Sequence, residues 1–144
     1  MSPTLAQNLI QAVPFFQVRD MAKALAFYVD GLGFEVTLKW TPDAPDRIRW
    51  CRLEAGRAAL MLQELYPTSA LAEPRGVGVS VSFMCYDALA IYRAAIAKGL
   101  APQKPFVGNE LWVVSFSDPD SFKIDFTSLT DVAEDTEYDP VAHG

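Results

Sequence analysis

The chain has 144 residues, 51 % of them hydrophobic and 21 % charged, an ordinary globular composition long enough for one domain with a substantial core. Its net charge of -6 is concentrated: from Asp131 onward there are five acidic residues and no Lys or Arg, which leaves 12 basic against 13 acidic residues in the body. That near-neutral body argues against the basic face of a nucleic-acid binder, and no apolar run approaches the length of a membrane span.

Cys51 and Cys85 are too few and too far apart for a disulfide framework, and two free thiols suit a reducing compartment. The opening MSPTLAQNLIQA has neither a basic region nor an apolar stretch of the targeting kind. A cytoplasmic protein is therefore expected. Residues 1–9 read as an N-terminal extension.

From residue 10 the chain follows one formula twice. A first module, 10–66, begins with the strand AVPFFQVRD and the helix MAKALAFYVDGLG. In that helix Met21, Ala24, Leu25, Tyr28 and Leu32 fall at helical spacing, Asp20 stands at the N-cap, and Gly31 and Gly33 mark the end. Strands FEVTLKW, RIRWCRL and AALMLQEL follow. The basic cluster DRIRWCR within them reads as a solvated strand edge. After a linker, 67–77, a second module, 78–130, repeats the order with strand GVSVSFMCYD and helix ALAIYRAAIAKGL. Here Asp87 is the cap, Leu89, Tyr92, Ala95 and Ile96 the buried stripe, and Gly99 the stop. APQKPF, LWVVSFS and FKIDFTS complete the module, and residues 131–144 form an acidic tail, a loop or a short dimer-packing arm. The GVGVS stretch leads into a strand and so does not read as a phosphate cradle. A βαβββ unit used twice is a duplicated fold.

Two hairpins set which side chains share a face. A turn centred on Ala55 and Gly56 places Leu53 opposite Ala58 and Trp50 opposite Met61. A turn centred on Pro119 and Asp120 places Ser117 opposite Phe122, and so Phe116 opposite Lys123, Val114 opposite Asp125 and Trp112 opposite Thr127. Alternation then gives an apolar face carrying Phe16, Val18, Leu60, Leu62, Val81, Phe83, Cys85, Ile124 and Phe126, which must pack under the helices. The opposite face mixes aromatic and polar groups, as a ligand cleft does. On it fall Phe15, Trp50, Arg52, Gln63, Ser80, Ser82, Trp112, Phe116, Lys123 and Asp125, the candidate ligand-binding residues. Cys51 and Cys85 read as small core residues rather than nucleophiles.

The strand–VRD–helix–FYVDGLGFEV pattern and the closing SDPDSFKIDF resemble the vicinal oxygen chelate superfamily, which includes glyoxalase I, extradiol dioxygenases and bleomycin-resistance proteins. That resemblance implies an α+β fold of two βαβββ modules forming a U-shaped mixed sheet around a cleft, helices on the outer face, assembled as a homodimer. It also implies metal-ligand positions at Val13, Gln63, Ser80 and Asp125. Valine cannot ligate, serine and glutamine are weak neutral donors, and the single histidine, His143, is next to the last residue. The expectation is therefore a metal-free, cofactor-free binder of a flat aromatic or antibiotic-like small molecule, similar to bleomycin-resistance proteins. The alternative is a divalent-metal lyase, isomerase or dioxygenase using Asp125. Neither nucleic acid nor membrane is expected as a partner.

Overall fold

The computed structural model describes residues 1–144. Its elements in chain order are α1 (Leu5–Asn8), β1 (Phe15–Val18), α2 (Met21–Leu25) running into a π-helical segment (Ala26–Gly31), β2 (Glu35–Trp40), β3 (Trp50–Ala55) and β4 (Ala58–Glu64). Then come β5 (Ser80–Met84), α3 (Ala88–Ala97), β6 (Phe106–Gly108), β7 (Leu111–Ser117), β8 (Lys123–Leu129) and α4 (Pro140–His143). The fold is α+β: two βαβββ modules, each with a four-stranded mixed sheet, ordered β1-β4-β3-β2 in sheet A and β5-β8-β7-β6 in sheet B. In both sheets the outer pair, β1·β4 or β5·β8, is parallel and the rest antiparallel.

Both helix starts are where the aspartates predict. Asp20 accepts from Lys23 N at 3.1 Å and Asp87 from Ala90 N at 3.0 Å, each satisfying one orphan donor of a first turn. In α3 the expected stripe holds for Leu89 and Ala95, but Ile96 is 48 % exposed. The segment APQKPF is mostly not a strand: Pro102 and Pro105 bring no N–H to a ladder, and β6 begins only at Phe106.

The first hairpin turns on Gly56 and Arg57, with Ala55 opposite Ala58 and Leu53 opposite Leu60. Gly56 takes φ +56, the conformation such two-residue turns need. This is a shift of two from the expected register, so every side chain keeps its face.

The second hairpin shifts by one, and that reverses β7. Ser117 pairs with Lys123, Phe116 with Ile124, Val114 with Phe126 and Trp112 with Ser128. Trp112, Val114 and Phe116 therefore lie on the helix-packed side, nearly fully buried. The extra residue is absorbed by the loop Asp118–Phe122. Asp118 Oδ1 accepts from the backbone N of Asp120 at 2.9 Å and of Phe122 at 2.8 Å, and Ser121 sits at φ +69. A carboxylate that wraps the loop around itself competes successfully with the tighter turn.

One apolar core runs through both modules. Phe16 of β1 stacks on Phe122 beside β8 at 4.3 Å and 7°. Phe27 meets Phe116 edge-on at 6.2 Å, and Phe34 lies 5.8 Å from Phe83. Leu53, Leu60, Leu62, Val114 and Ile124 are completely buried within it, each contributing about 1.5–3 kcal/mol. The helix-bearing sides of the two sheets thus share one interior. The residues on their other sides take no part in that core.

A polar latch reinforces this union. Tyr28 Oη donates to Asp118 Oδ2 at 2.7 Å. Asp120 Oδ1 accepts from Arg75 Nη1 at 2.9 Å and from Arg19 N at 3.2 Å. Arg75 also donates to the Gln17 carbonyl and lies over the Phe122 ring, 5.0 Å from its centroid. Gly76 permits the approach: a Cβ there would overlap the Ser121 carbonyl.

Candidate functional site

Strand pairing places the outward side chains of sheet A in two rows across the strands. One row runs Phe15, Met61, Arg52, Leu38; the next runs Gln17, Gln63, Trp50, Trp40. Four of the sequence-derived candidates, Phe15, Trp50, Arg52 and Gln63, thus share one face. Trp40 and Leu38 were not among them. In FEVTLKW the alternation puts Phe34, Val36, Leu38 and Trp40 on one side. A bulge at Thr37 divides that set, with Val36 opposite Leu53 and Leu38 opposite Arg52. Bulges re-aim the residues that follow them. Leu38 is 57 % and Trp40 53 % exposed.

Arg52 is less free than its position suggests. Its Nε donates to Glu54 Oε1 at 3.1 Å and its Nη2 to Gln11 Oε1 at 2.8 Å. It is a positioned cation with a neighbouring carboxylate, so a ligand anion competes with Glu54 for it.

Sheet B gives three outward rows: Ser80, Lys123, Ser117; Ser82, Asp125, Ser115; and Met84, Thr127, Val113, Phe106. Ser80, Ser82, Lys123 and Asp125 therefore also share a face, and Ser115 and Ser117 join them because β7 is reversed. Asp125 is half-buried between two serines and not enclosed by Phe122, Ile124 and Phe126, which point the other way. Trp112 and Phe116 are corrected: both belong to the core beneath α3, where the Ser128 hydroxyl accepts from Ala88 N at 2.9 Å. Trp112 meets the His143 ring at 5.0 Å, so the only imidazole lies on the helix side, away from both open faces.

A divalent metal does not fit these residues. No group of three His, Cys, Asp or Glu side chains that could hold a metal ion comes together in the chain, and of Val13, Gln63, Ser80 and Asp125 only Asp125 is a strong ligand. One carboxylate, one amide and one hydroxyl are a poor match for the roughly three strong protein ligands of a catalytic metal site.

The cysteines are inert by position. Burial pushes the Cys51 thiol up to about 11 despite a hydrogen bond to the Leu62 backbone, and burial also raises Cys85, whose Sγ donates to the Thr127 carbonyl. With Cys51 fully buried and only about one thiol in a thousand ionised at pH 8, iodoacetamide should modify Cys85 first. Cys51 should react only on unfolding. Peptide mass spectrometry of the native protein checks this, and rapid alkylation of Cys51 would contradict its placement.

No helix is long and apolar enough to cross a membrane. The sequence profile of the Glyoxalase/Bleomycin resistance protein/Dioxygenase superfamily matches residues 10–126. Among solved structures, the chain is similar to a bleomycin-binding protein complexed with bleomycin (20 % identity, TM-score 0.65, covering 83 % of this chain and 98 % of that one). It is also similar to TnmS3, an antibiotic-binding protein from Streptomyces sp. CB03234 (24 %, 0.62, 84 % and 98 %). A glyoxalase/bleomycin resistance protein from the same Streptomyces gives 25 %, 0.60, 81 % and 100 %. No curated protein matches.

Proposed function

The chain belongs to the Glyoxalase/Bleomycin resistance protein/Dioxygenase superfamily, and from that premise we propose that it is a metal-free small-molecule binding protein that sequesters a flat, partly polar, antibiotic-like ligand. The observation that carries this reading is the outward row Trp40–Trp50–Gln63–Gln17, two indoles beside two amides on an otherwise open sheet. Such a row suits stacking against a ring system while the amides take its polar edge.

The ligand is enclosed by a homodimer. Each chain leaves one face of sheet A and one face of sheet B outside its core, and two copies bring the aromatic rows of one against the serine, Lys123 and Asp125 rows of the other. Leu38 and Trp40 on sheet A and Met84 (76 % exposed) on sheet B, with Val77, Val79 and Tyr86 flanking β5, are exposed apolar side chains at both faces, of the kind that a subunit contact covers. An antibiotic cargo is supported by the two antibiotic-binding structures this chain is similar to. A lyase, isomerase or dioxygenase working through metal on Asp125 lacks the donors it requires.

The test is a titration of the full chain with bleomycin and other planar antibiotics, followed by tryptophan fluorescence with sedimentation alongside. Trp50→Ala and Trp40→Ala should each weaken binding about five- to tenfold, the loss of roughly 1 kcal/mol of stacking, whereas Trp112→Phe should leave it unchanged. A monomer that binds with full affinity, or binding indifferent to Trp40 and Trp50, sinks the reading.

A further inference from the structure

A groove on the far side of sheet B, across α3, is built partly from residues beyond the superfamily match, which ends at 126. It encloses about 360 Å³ between Tyr92, Arg93 and Ile96 of α3, Lys104, and Tyr138 and Pro140 of the tail. The acidic tail does not hang free. Val107 N donates to the Thr136 carbonyl, Asp135 N to the Val107 carbonyl and Tyr138 N to the Pro105 carbonyl, all at 2.9 Å. Asn109 N donates to Glu134 Oε1 at 2.6 Å, and Phe106 bridges Glu137. These bonds cap the free edge of β6 and hold Tyr138 in place.

One carboxylate of the tail, Glu137, reaches a cation of the groove, Lys104. Tyr138 and Tyr92 meet edge to face at 5.0 Å and 64°, forming a two-walled aromatic corner, with the exposed Ile96 in its lining. Arg93 forms no ion pair; its Nη1 donates to the His143 carbonyl at 3.3 Å. Lys104 has one carboxylate partner, Glu137, at 3.3 Å, with both side chains more than 60 % exposed. In a chain of net charge -6, Arg93 without a carboxylate partner and Lys104 shared with Glu137 are the charged residues lining this aromatic-cornered recess, and its volume falls within the roughly 300–1,000 Å³ of ligand pockets.

We propose that this groove is a second binding site, distinct from the open sheet faces, for a small anion with a flat apolar body: an aromatic carboxylate or sulfonate. The tyrosine corner and Ile96 take the ring, while Arg93 and Lys104 take the anionic group. Exposed ion contacts are weak and salt-screened, so the rings carry affinity and the two cations carry the preference for an anion.

The experiment is a titration of the ¹⁵N-labelled full chain with naphthalene-1-sulfonate and with neutral 1-naphthol, read by amide shifts. The sulfonate should move Tyr92, Arg93, Ile96, Lys104 and Tyr138 together and bind more tightly than the naphthol. Arg93→Ala/Lys104→Ala, both at exposed positions, should weaken the sulfonate about fivefold or more and leave naphthol unchanged. Ile96→Asp should abolish both, and added salt should weaken only the sulfonate. Shifts confined to the surroundings of Trp50 or Met84 would overturn this site while supporting the sheet-face reading. Equal affinity for naphthol, no loss in the double variant, or no binding would overturn it outright.

Discussion

Asp118→Ala is expected to lower the stability of the fold by about 3–5 kcal/mol, a large share of a domain's usual 5–15 kcal/mol. The side chain is 5 % exposed and accepts three hydrogen bonds, from Tyr28 Oη, Asp120 N and Phe122 N. Truncation leaves these donors buried without a partner, at about 1–3 kcal/mol each where no water replaces the carboxylate. It also frees the loop to close on the tighter turn, which would rotate β7 and expel Trp112 and Phe116 from the core. Urea unfolding measures the loss. A change below 1 kcal/mol would mean that Asp118 does not hold the register.

The pH dependence separates Asp118 from a generic core position. Burial raises its carboxyl above the ordinary 3.8, and the hydrogen bonds from Tyr28 and the loop amides only partly offset this. A folded-state value above the unfolded one means that protonation favours folding. That contribution is complete below 3.8 and is lost as pH rises through the raised value. Asp118→Asn does not titrate and keeps most of the acceptor geometry. Its stability relative to the native chain should therefore improve as pH climbs through that window. A constant difference across the series would contradict the burial of this group.

Arg75→Ala should cost a similar amount, about 3–5 kcal/mol, because it strands a carboxylate. Asp120 is 3 % exposed, and Arg75, with its side chain 7 % exposed, is its nearest cation at 2.9 Å, with Arg19 Nη1 next at 3.7 Å. Arg75 uses its planar fork twice, for Asp120 and for the Gln17 carbonyl of β1, while its face lies on Phe122. Arg75→Lys keeps the charge but not the fork, so an intermediate loss is expected. The cycle with Asp120→Ala should show coupling of about 0.5–3 kcal/mol. Additive losses would mean that Asp120 is satisfied elsewhere. Because this latch ties β1 to the loop before β8, Arg75→Ala should also weaken the ligand binding proposed for sheet A, although Arg75 is not on the open face.

Much of the architecture is legible in local chemistry. The repeated order of apolar strand, aspartate cap, amphipathic helix and three further strands appears in both halves, and Asp20 and Asp87 act as the caps they resemble. The outward faces of β1, β3, β4, β5 and β8 follow from alternation alone, since an error of two in the first hairpin leaves every side chain on its own side. For the same reason Phe15, Trp50, Arg52 and Gln63 are found together, as are Ser80, Ser82, Lys123 and Asp125.

What local pattern could not supply is the length of a loop and the place of a bulge. Asp118 closes a five-residue loop through the amides of Asp120 and Phe122, and its carboxylate is also held by Tyr28, ninety positions away. A single residue there decides whether Trp112 meets solvent or core. The bulge at Thr37 likewise decides that Trp40 joins Trp50, because Phe34 is drawn into a core made by both modules. Period-two alternation determines which residues travel together on a strand; only the packing of distant partners determines which way each set points.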